Sequence, residues 1–246
     1  MAERAALITG ASSGIGLAIA RALGEDGYGI TVSARRPEKL QAAAEGLEGA
    51  GLDVQGVPAN VVNEEEVTAL VGAHKERFGR LDVLVNNAGV GIGGEIGAIE
   101  TKHLDMQLGV NLRSYVIATR DALPMLKQAG EEHGKALIVN TASIAGKWGQ
   151  GWISVYSATK AGVVGFSQAT QREVDGAGVQ VTAFCPGLVD TAMTEWARSS
   201  VEQEAMIRPE DIAEGVRFLL AVSPNTRIPE IVFSRMGSTP PGDAGV

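Results

Sequence analysis

Ala5-Ala-Leu-Ile8, then Thr9-Gly-Ala-Ser-Ser-Gly14-Ile-Gly16, then Leu17-Ala-Ile-Ala-Arg-Ala-Leu23: these nineteen consecutive residues decide how the rest of the chain is read. The first four are a short apolar run that reads as a buried strand, and the last seven carry a helical period. Between them stand Gly10, Gly14 and Gly16. A strand, a glycine-rich turn and a helix, in that order, make a phosphate cradle. Glycines let the backbone approach a pyrophosphate, and the helix N-terminus presents N–H groups and the positive end of its dipole. An ordinary tight turn would use the same residues, but the flanking strand and helix are the context a nucleotide site requires. Ser12, Ser13 and Ile15 complete the turn and belong to the same candidate site.

Outward from this unit, strand-like and helix-like stretches alternate. Further strands are expected at 29–33, 54–57, 81–85, 135–139, 179–184 and 228–233. Helices are expected near 38–50, 64–78, 102–128, 155–175 and 209–222. Pro209 would then sit in a helical first turn, where proline is tolerated. Such βαβα alternation calls for right-handed crossovers and helices on both faces of a parallel sheet. The expected architecture is α/β: one doubly wound domain over residues 1–246, with seven parallel strands. No linker, repeat or low-complexity block marks a second domain. The polar, turn-rich end, residues 237–246, is expected to be a mobile tail.

Bulk properties narrow the function. A chain of 246 residues is long for one domain but ordinary for an α/β sheet. It can bury roughly three-quarters of its unfolded surface. The formal net charge of −8 argues against a nucleic-acid surface. The one cysteine, Cys185, allows no intrachain disulfide and reads as a packed small hydrophobe. No Cys/His group has metal-ligand spacing, so no metal is expected. His74, His103 and His133 fall in polar helical contexts and read as surface. No apolar run approaches the ~18 residues of a membrane span, and no signal segment precedes the first strand. A cytoplasmic protein is the expectation.

The chemistry centres on Tyr156-Ser-Ala-Thr-Lys160, with Ser143 upstream. A tyrosine and a lysine four apart share one helix face. A phenol of pKa about 10 exchanges protons poorly at neutral pH, and a nearby ammonium favours the phenolate and lowers that pKa. Ser143 could set a hydroxyl against a carbonyl oxygen at the same centre. Two further motifs end strands: Asn86-Asn87-Ala88-Gly89, and Pro186-Gly187 with Val189 and Thr191 beyond. Each of these alone is also an ordinary turn.

Together these residues resemble the short-chain dehydrogenase/reductase family, from about Ala5 to Phe233. The resemblance implies that Gly10, Gly14 and Gly16 form the cofactor turn. It implies that the segment from Asn86 through Asn87, Ala88 and Gly89 supports the sheet beside the adenosine ribose. Asn111, Ser143, Tyr156 and Lys160 match the family's catalytic residues, with Asn111 supporting a water that links Lys160 to solvent. Ser143 stands thirteen residues before Tyr156, the family's usual interval. Pro186, Gly187, Val189 and Thr191 match the segment that covers the nicotinamide. The implied reaction is hydride transfer between a nicotinamide cofactor and a carbonyl/alcohol pair.

The end of the second strand bears on the cofactor. An acid there would bond a ribose 2′-hydroxyl, whereas arginine would pair a 2′-phosphate. Ala34 stands at the position of the acid, followed by Arg35 and Arg36; NADP(H) is therefore expected, with NAD(H) as the lesser possibility. Asn60, before Val61, stands where the family usually has aspartate beside the adenine. The candidate substrate wall includes Val90, Ile144, Trp148, Trp152 and the segment Thr191 to Ile207, within which Met193 and Trp196 lie. Met193 and Trp196 could equally belong to a short helix packed on the core. The expected substrate is a ketone, aldehyde or hydroxy acid, with a 3-oxoacyl-carrier-protein as alternative and a non-catalytic cofactor-binding sensor or scaffold as a third. A homo-oligomer, tetramer or dimer, is also implied by the resemblance.

Overall fold

Seven parallel strands form one sheet in the computed structural model, which describes residues 3–237. They are β1 (Ala5–Thr9), β2 (Gly29–Ala34), β3 (Val54–Pro58), β4 (Val83–Asn86), β5 (Ala136–Thr141), β6 (Val179–Pro186) and β7 (Glu230–Phe233). Their order across the sheet is β3-β2-β1-β4-β5-β6-β7. The chain winds outward from β1 to β3 and then returns, so that β4 pairs with the other side of β1, Ala6 opposite Val83 and Ile8 opposite Val85. That return makes the fold doubly wound and leaves a crevice at the carboxyl ends of β1 and β4, the topological switch point of a Rossmann sheet.

Alternate residues of the central strands face opposite layers. Ala6 and Ile8 of β1 pack in one core with Ile19, Leu23, Leu40, Ile212 and Val216. Leu7 packs in the other with Leu70, Ala122 and Leu126. The helices follow: α1 (Gly14–Glu25), α2 (Pro37–Glu48) and α7 (Pro209–Ala221) cover the first face. On the second lie α3 (Glu64–Phe78), α5 (Ser114–His133) and α6 (Ser154–Glu173). Both faces are covered, so the central strands read as unbroken apolar runs rather than alternating ones.

Two expectations are corrected. The helix expected at 102–128 is not continuous: α4 (Thr101–Leu108) ends in a π-helical turn, Gly109–Arg113, before α5 begins. Such a turn inserts one residue and re-aims the side chains around it, here Asn111. His74 is not on the surface but fully buried. Its Nε2 donates to the Arg80 carbonyl at 2.8 Å, since a carbonyl can only accept, and its Nδ1 accepts from the Thr31 hydroxyl at 2.7 Å. Of the tail, residues 238–246 lie outside the described residues. Among the described residues no helix is long and apolar enough to cross a membrane.

Candidate active site

The glycine turn begins where β1 ends. Gly10 has φ +67, and a Cβ there would stand 2.8 Å from the Ala88 backbone, so only glycine lets the turn lie against the β4 end. The turn is tied to that strand by Thr9, whose hydroxyl accepts the N–H groups of Asn87 and Ala88 at 3.0 and 3.1 Å. The Asn87 amide donates back to the Thr9 and Gly10 carbonyls. At the N-terminus of α1, Ser13 makes no side-chain cap, and the first turn holds no acid. Contrast α3, where Asn63 caps two N–H groups and three glutamates fill the first turn. The free N–H groups of α1 open on a cleft and suit an anion such as a pyrophosphate.

That cleft gathers most of the candidate residues. Gly10, Ser13, Gly14, Ile15, Asn87, Gly89, Ser143, Tyr156, Lys160, Pro186, Gly187, Val189, Thr191 and Met193 line it. Ala192 and Thr194, from the segment expected at the wall, line it too, and so do Thr141 and Ala142, which the sequence did not point to. Ser12, Gly16 and Ala88 lie in the same turns without lining it. Arg35, Arg36, Asn60 and Val61 follow the carboxyl ends of β2 and β3 and do not line the cleft. Arg35 and Arg36 are exposed and, among the described residues, form no ion pair. Asn60 uses its backbone N–H on Glu66 at 2.7 Å.

Tyr156 and Lys160 stand one turn apart near the start of α6. Lys160 is 2% exposed. Its Nζ donates to the Thr141 carbonyl at 2.7 Å and lies 5.5 and 5.7 Å from the Tyr115 and Tyr156 ring centres. Burial lowers its pKa to about 7. The expected effect on the phenol is corrected here: burial dominates and raises the Tyr156 pKa, and it is the Ser143 hydrogen bond, not Lys160, that offsets it. The Ser143 hydroxyl also accepts the Ala145 N–H at 3.1 Å. Cys185 is buried beneath, its thiol raised to about 12 by burial, consistent with an inert packed side chain.

Asn111, fully buried in the π turn, takes Val90 by both backbone groups. Its Oδ1 accepts the Val90 N–H at 2.8 Å and its Nδ2 donates to the Val90 carbonyl at 2.9 Å and to Thr159 Oγ1 at 3.1 Å. Tyr115 braces the floor, its hydroxyl donating to the Ala88 and Thr141 carbonyls.

The substrate side is looser. Ile144 packs near Gly187. Trp148 is partly exposed and, like Trp152 and Trp196, does not line the cleft. Trp152 lies instead over Gly93, with φ 66, the one non-glycine residue of positive φ among the described residues. Trp196 sits in a 3₁₀ turn, 73% exposed, so it neither packs on the core nor reaches the cleft. Among the described residues no group of three His, Cys, Asp or Glu side chains could hold a metal ion.

The family model described as short chain dehydrogenase matches residues 4–202. An uncharacterized oxidoreductase of Staphylococcus aureus is 35% identical over 231 residues, covering 94% of this chain and 96% of its own. A ketoacyl reductase assigned to the monensin polyketide synthase of Streptomyces virginiae is 41% identical over 196 residues, 80% of this chain and 74% of its own. Among solved structures, an actinorhodin polyketide ketoreductase variant with NADPH superposes with a TM-score of 0.86 at 34% identity, covering 94% of this chain and 97% of its own. An alcohol dehydrogenase of Thermococcus sibiricus with 5-hydroxy-NADP gives 0.87 at 30%, covering 96% and 98%. A 3-ketoacyl-(acyl-carrier-protein) reductase of Brucella melitensis with NADH gives 0.85 at 28%, covering 94% and 96%.

Proposed function

This chain belongs to the short-chain dehydrogenase/reductase family, and from that premise we propose that it is an NADP-dependent oxidoreductase acting on a carbonyl/alcohol pair. The observation that carries the reading is the convergence of Ser143, Tyr156 and Lys160 on the cleft that also holds the uncapped N-terminus of α1. The residues suit a dinucleotide. The glycine turn and α1 would hold its pyrophosphate, Asn87 and Gly89 would flank the adjoining ribose, and Pro186, Gly187, Val189 and Thr191 would cover the nicotinamide. When bound, the nicotinamide supplies or receives the hydride.

The protein's own part is proton transfer and charge stabilisation. In reduction, the Tyr156 hydroxyl gives its proton to the carbonyl oxygen. Ser143 turns its hydroxyl to donate a hydrogen bond to the same oxygen as charge develops there. Lys160, its Nζ 5.7 Å from the Tyr156 ring centre, would hold a ribose hydroxyl of the cofactor beside the phenol. Asn111 fixes the Val90 backbone beside this centre. NADP rather than NAD is supported by Ala34, where an acid would meet the ribose, and by the exposed Arg35 and Arg36.

A 3-oxoacyl thioester is the second reading, supported by the likeness to ketoacyl reductases. One experiment tests both: NADPH and NADH oxidation with a panel of simple ketones, aldehydes and an acetoacetyl thioester. Turnover of the thioester alone would select the second reading, and no turnover with any carbonyl would overturn both. For the cofactor, Arg35→Asp is expected to weaken NADPH binding and spare NADH. Tighter NADH binding by the unaltered protein would reject the preference.

A further inference from the structure

We propose that Gln107 is a positioning residue that sets the wall facing Tyr156, a reading that rests on Tyr156 being the proton-transfer group. α4 buries one side chain only, and that side chain is polar: Gln107 is fully buried. Its Oε1 accepts the Ile92 N–H at 3.2 Å, while its Nε2 has no hydrogen-bond partner among the described residues. Four residues on, Asn111 takes Val90 by its N–H and its carbonyl. Two side-chain amides from successive turns therefore hold residues 90 and 92 of one loop, much as a neighbouring strand would hold alternate residues.

Gly91, between them, faces the other way. A Cβ on it would stand 3.8 Å from Cδ2 and Cε2 of Tyr156. On the far side Trp152 closes over the same loop. Its carbonyl accepts the Gly94 N–H at 2.6 Å, and its indole fills the space a Cβ on Gly93 would need. The loop is thus fixed at Val90 and Ile92 from the helix and at Gly93 and Gly94 from Trp152, with Gly91 beside the phenol ring.

Stability does not explain a glutamine here. An apolar residue of the same size would bury no unpaired donor, and a half-satisfied buried amide is worse for folding than none. What the glutamine supplies, and leucine cannot, is an acceptor for Ile92. Gln107 thereby sets the height of Gly91 above Tyr156 and so the room for the larger substituent of the carbonyl substrate.

The test pairs Gln107→Leu, which keeps volume and removes the acceptor, with Gln107→Glu, which keeps an acceptor in the same place. NADPH-dependent reduction of cyclohexanone and 2-tetralone is measured together with amide hydrogen exchange at Ile92. Gln107→Leu is expected to keep or raise Tm and to speed Ile92 exchange about ten-fold or more, by loss of local protection. It should raise KM for 2-tetralone about ten-fold with kcat changed far less, the signature of lost substrate positioning. Gln107→Glu should restore Ile92 protection and KM. If Gln107→Leu fails to fold, Gln107→Asn, too short to reach Ile92, replaces it with the same expectations for exchange and KM. A lowered Tm with KM and exchange unchanged would show a structural role only and overturn the proposal, as would failure of a folded Gln107→Glu to restore either readout. If the unaltered protein reduces no carbonyl of the wider panel, the reaction proposed above fails, and Ile92 exchange alone still decides whether Gln107 holds the loop.

Discussion

Lys160 shows what a reactive residue costs the fold. It is buried with one carbonyl partner, and its pKa falls to about 7 against about 10.4 in an unfolded chain. Between those values the unfolded chain binds a proton that the folded protein does not. Folding stability contributed by this group is therefore full above pH ~10 and lost as pH falls toward 7, at most about 1.4 kcal/mol per pH unit. Lys160→Met is expected to be inactive and to bind NADPH weakly, yet to melt higher than the unaltered protein at pH 7, with the advantage shrinking toward pH 10. Thermal melts across that range check it, and a lower Tm at pH 7 would mean that the bond to Thr141 outweighs the burial. Tyr156→Phe removes a hydroxyl and nothing else. Turnover should fall about 10²–10⁴-fold, the usual contribution of a positioned acid or base, while NADPH titration stays near normal. Near-normal turnover would sink the proposed proton transfer.

Among the elements, α3 carries a separate pH dependence. His74 is held neutral between Thr31 and the Arg80 carbonyl, and burial lowers its pKa to about 4. The unfolded imidazole titrates near 6.5. As pH falls from ~6.5 toward ~4, the unfolded chain takes up a proton first, so stability declines through that window by at most about 1.4 kcal/mol per unit. His74→Gln, which hydrogen-bonds but does not titrate there, is expected to flatten the fall of Tm between these values; an unchanged slope would assign it to other groups. The burial of His74 was legible in one respect and overlooked in another. Its neighbours Lys75 and Glu76 are polar, yet Val67, Leu70, Val71, His74 and Phe78 follow one helical stripe, and all are buried. The central strands β1, β4, β5 and β6 are legible because, buried on both faces, they are nearly continuous apolar runs. The break at Gly109–Arg113 carries no such signal, since a π turn changes hydrogen-bond spacing without changing residue type. For the same reason Asn111 could be placed only by resemblance, and Gln107, a polar residue on a polar-looking helix, gave no sign of its burial. The glycine turn, Ser143, Tyr156 and Lys160 were legible because their chemistry fixes both residue type and spacing. Trp152 and Trp196 were not, because a large apolar residue near a site says nothing of which way its loop turns.

At the scale of the whole molecule, the sheet sets the residues that line the cleft at the carboxyl ends of β1, β4, β5 and β6, and α6 adds Tyr156 and Lys160 along one face while leaving another outward. Leu108 beside the π turn and Val116 on α5 are exposed. On α6, Ala158, Ala161 and Gly165 are exposed and recur at helical spacing, and a Cβ on Gly165 would meet nothing within 4 Å. Gly162 has a different use, since a Cβ there would stand 3.0 Å from Leu112; only that member of the small-residue set is accounted for by packing within the chain. The outward stripe is flat, apolar and without side-chain bulk, which suits the close, self-complementary approach of a two-fold axis. We predict a homo-oligomer in which α5 and α6 pair with their own copies and brace the segment holding Tyr156 and Lys160. Sedimentation at micromolar concentration should show no dominant monomer. Ala161→Arg, which sets a charge on the axis while its backbone stays helical, should shift the protein toward monomer and lower turnover together. A fully active monomer, either of the unaltered protein or of that variant, would mean that α6 needs no partner to hold its catalytic groups.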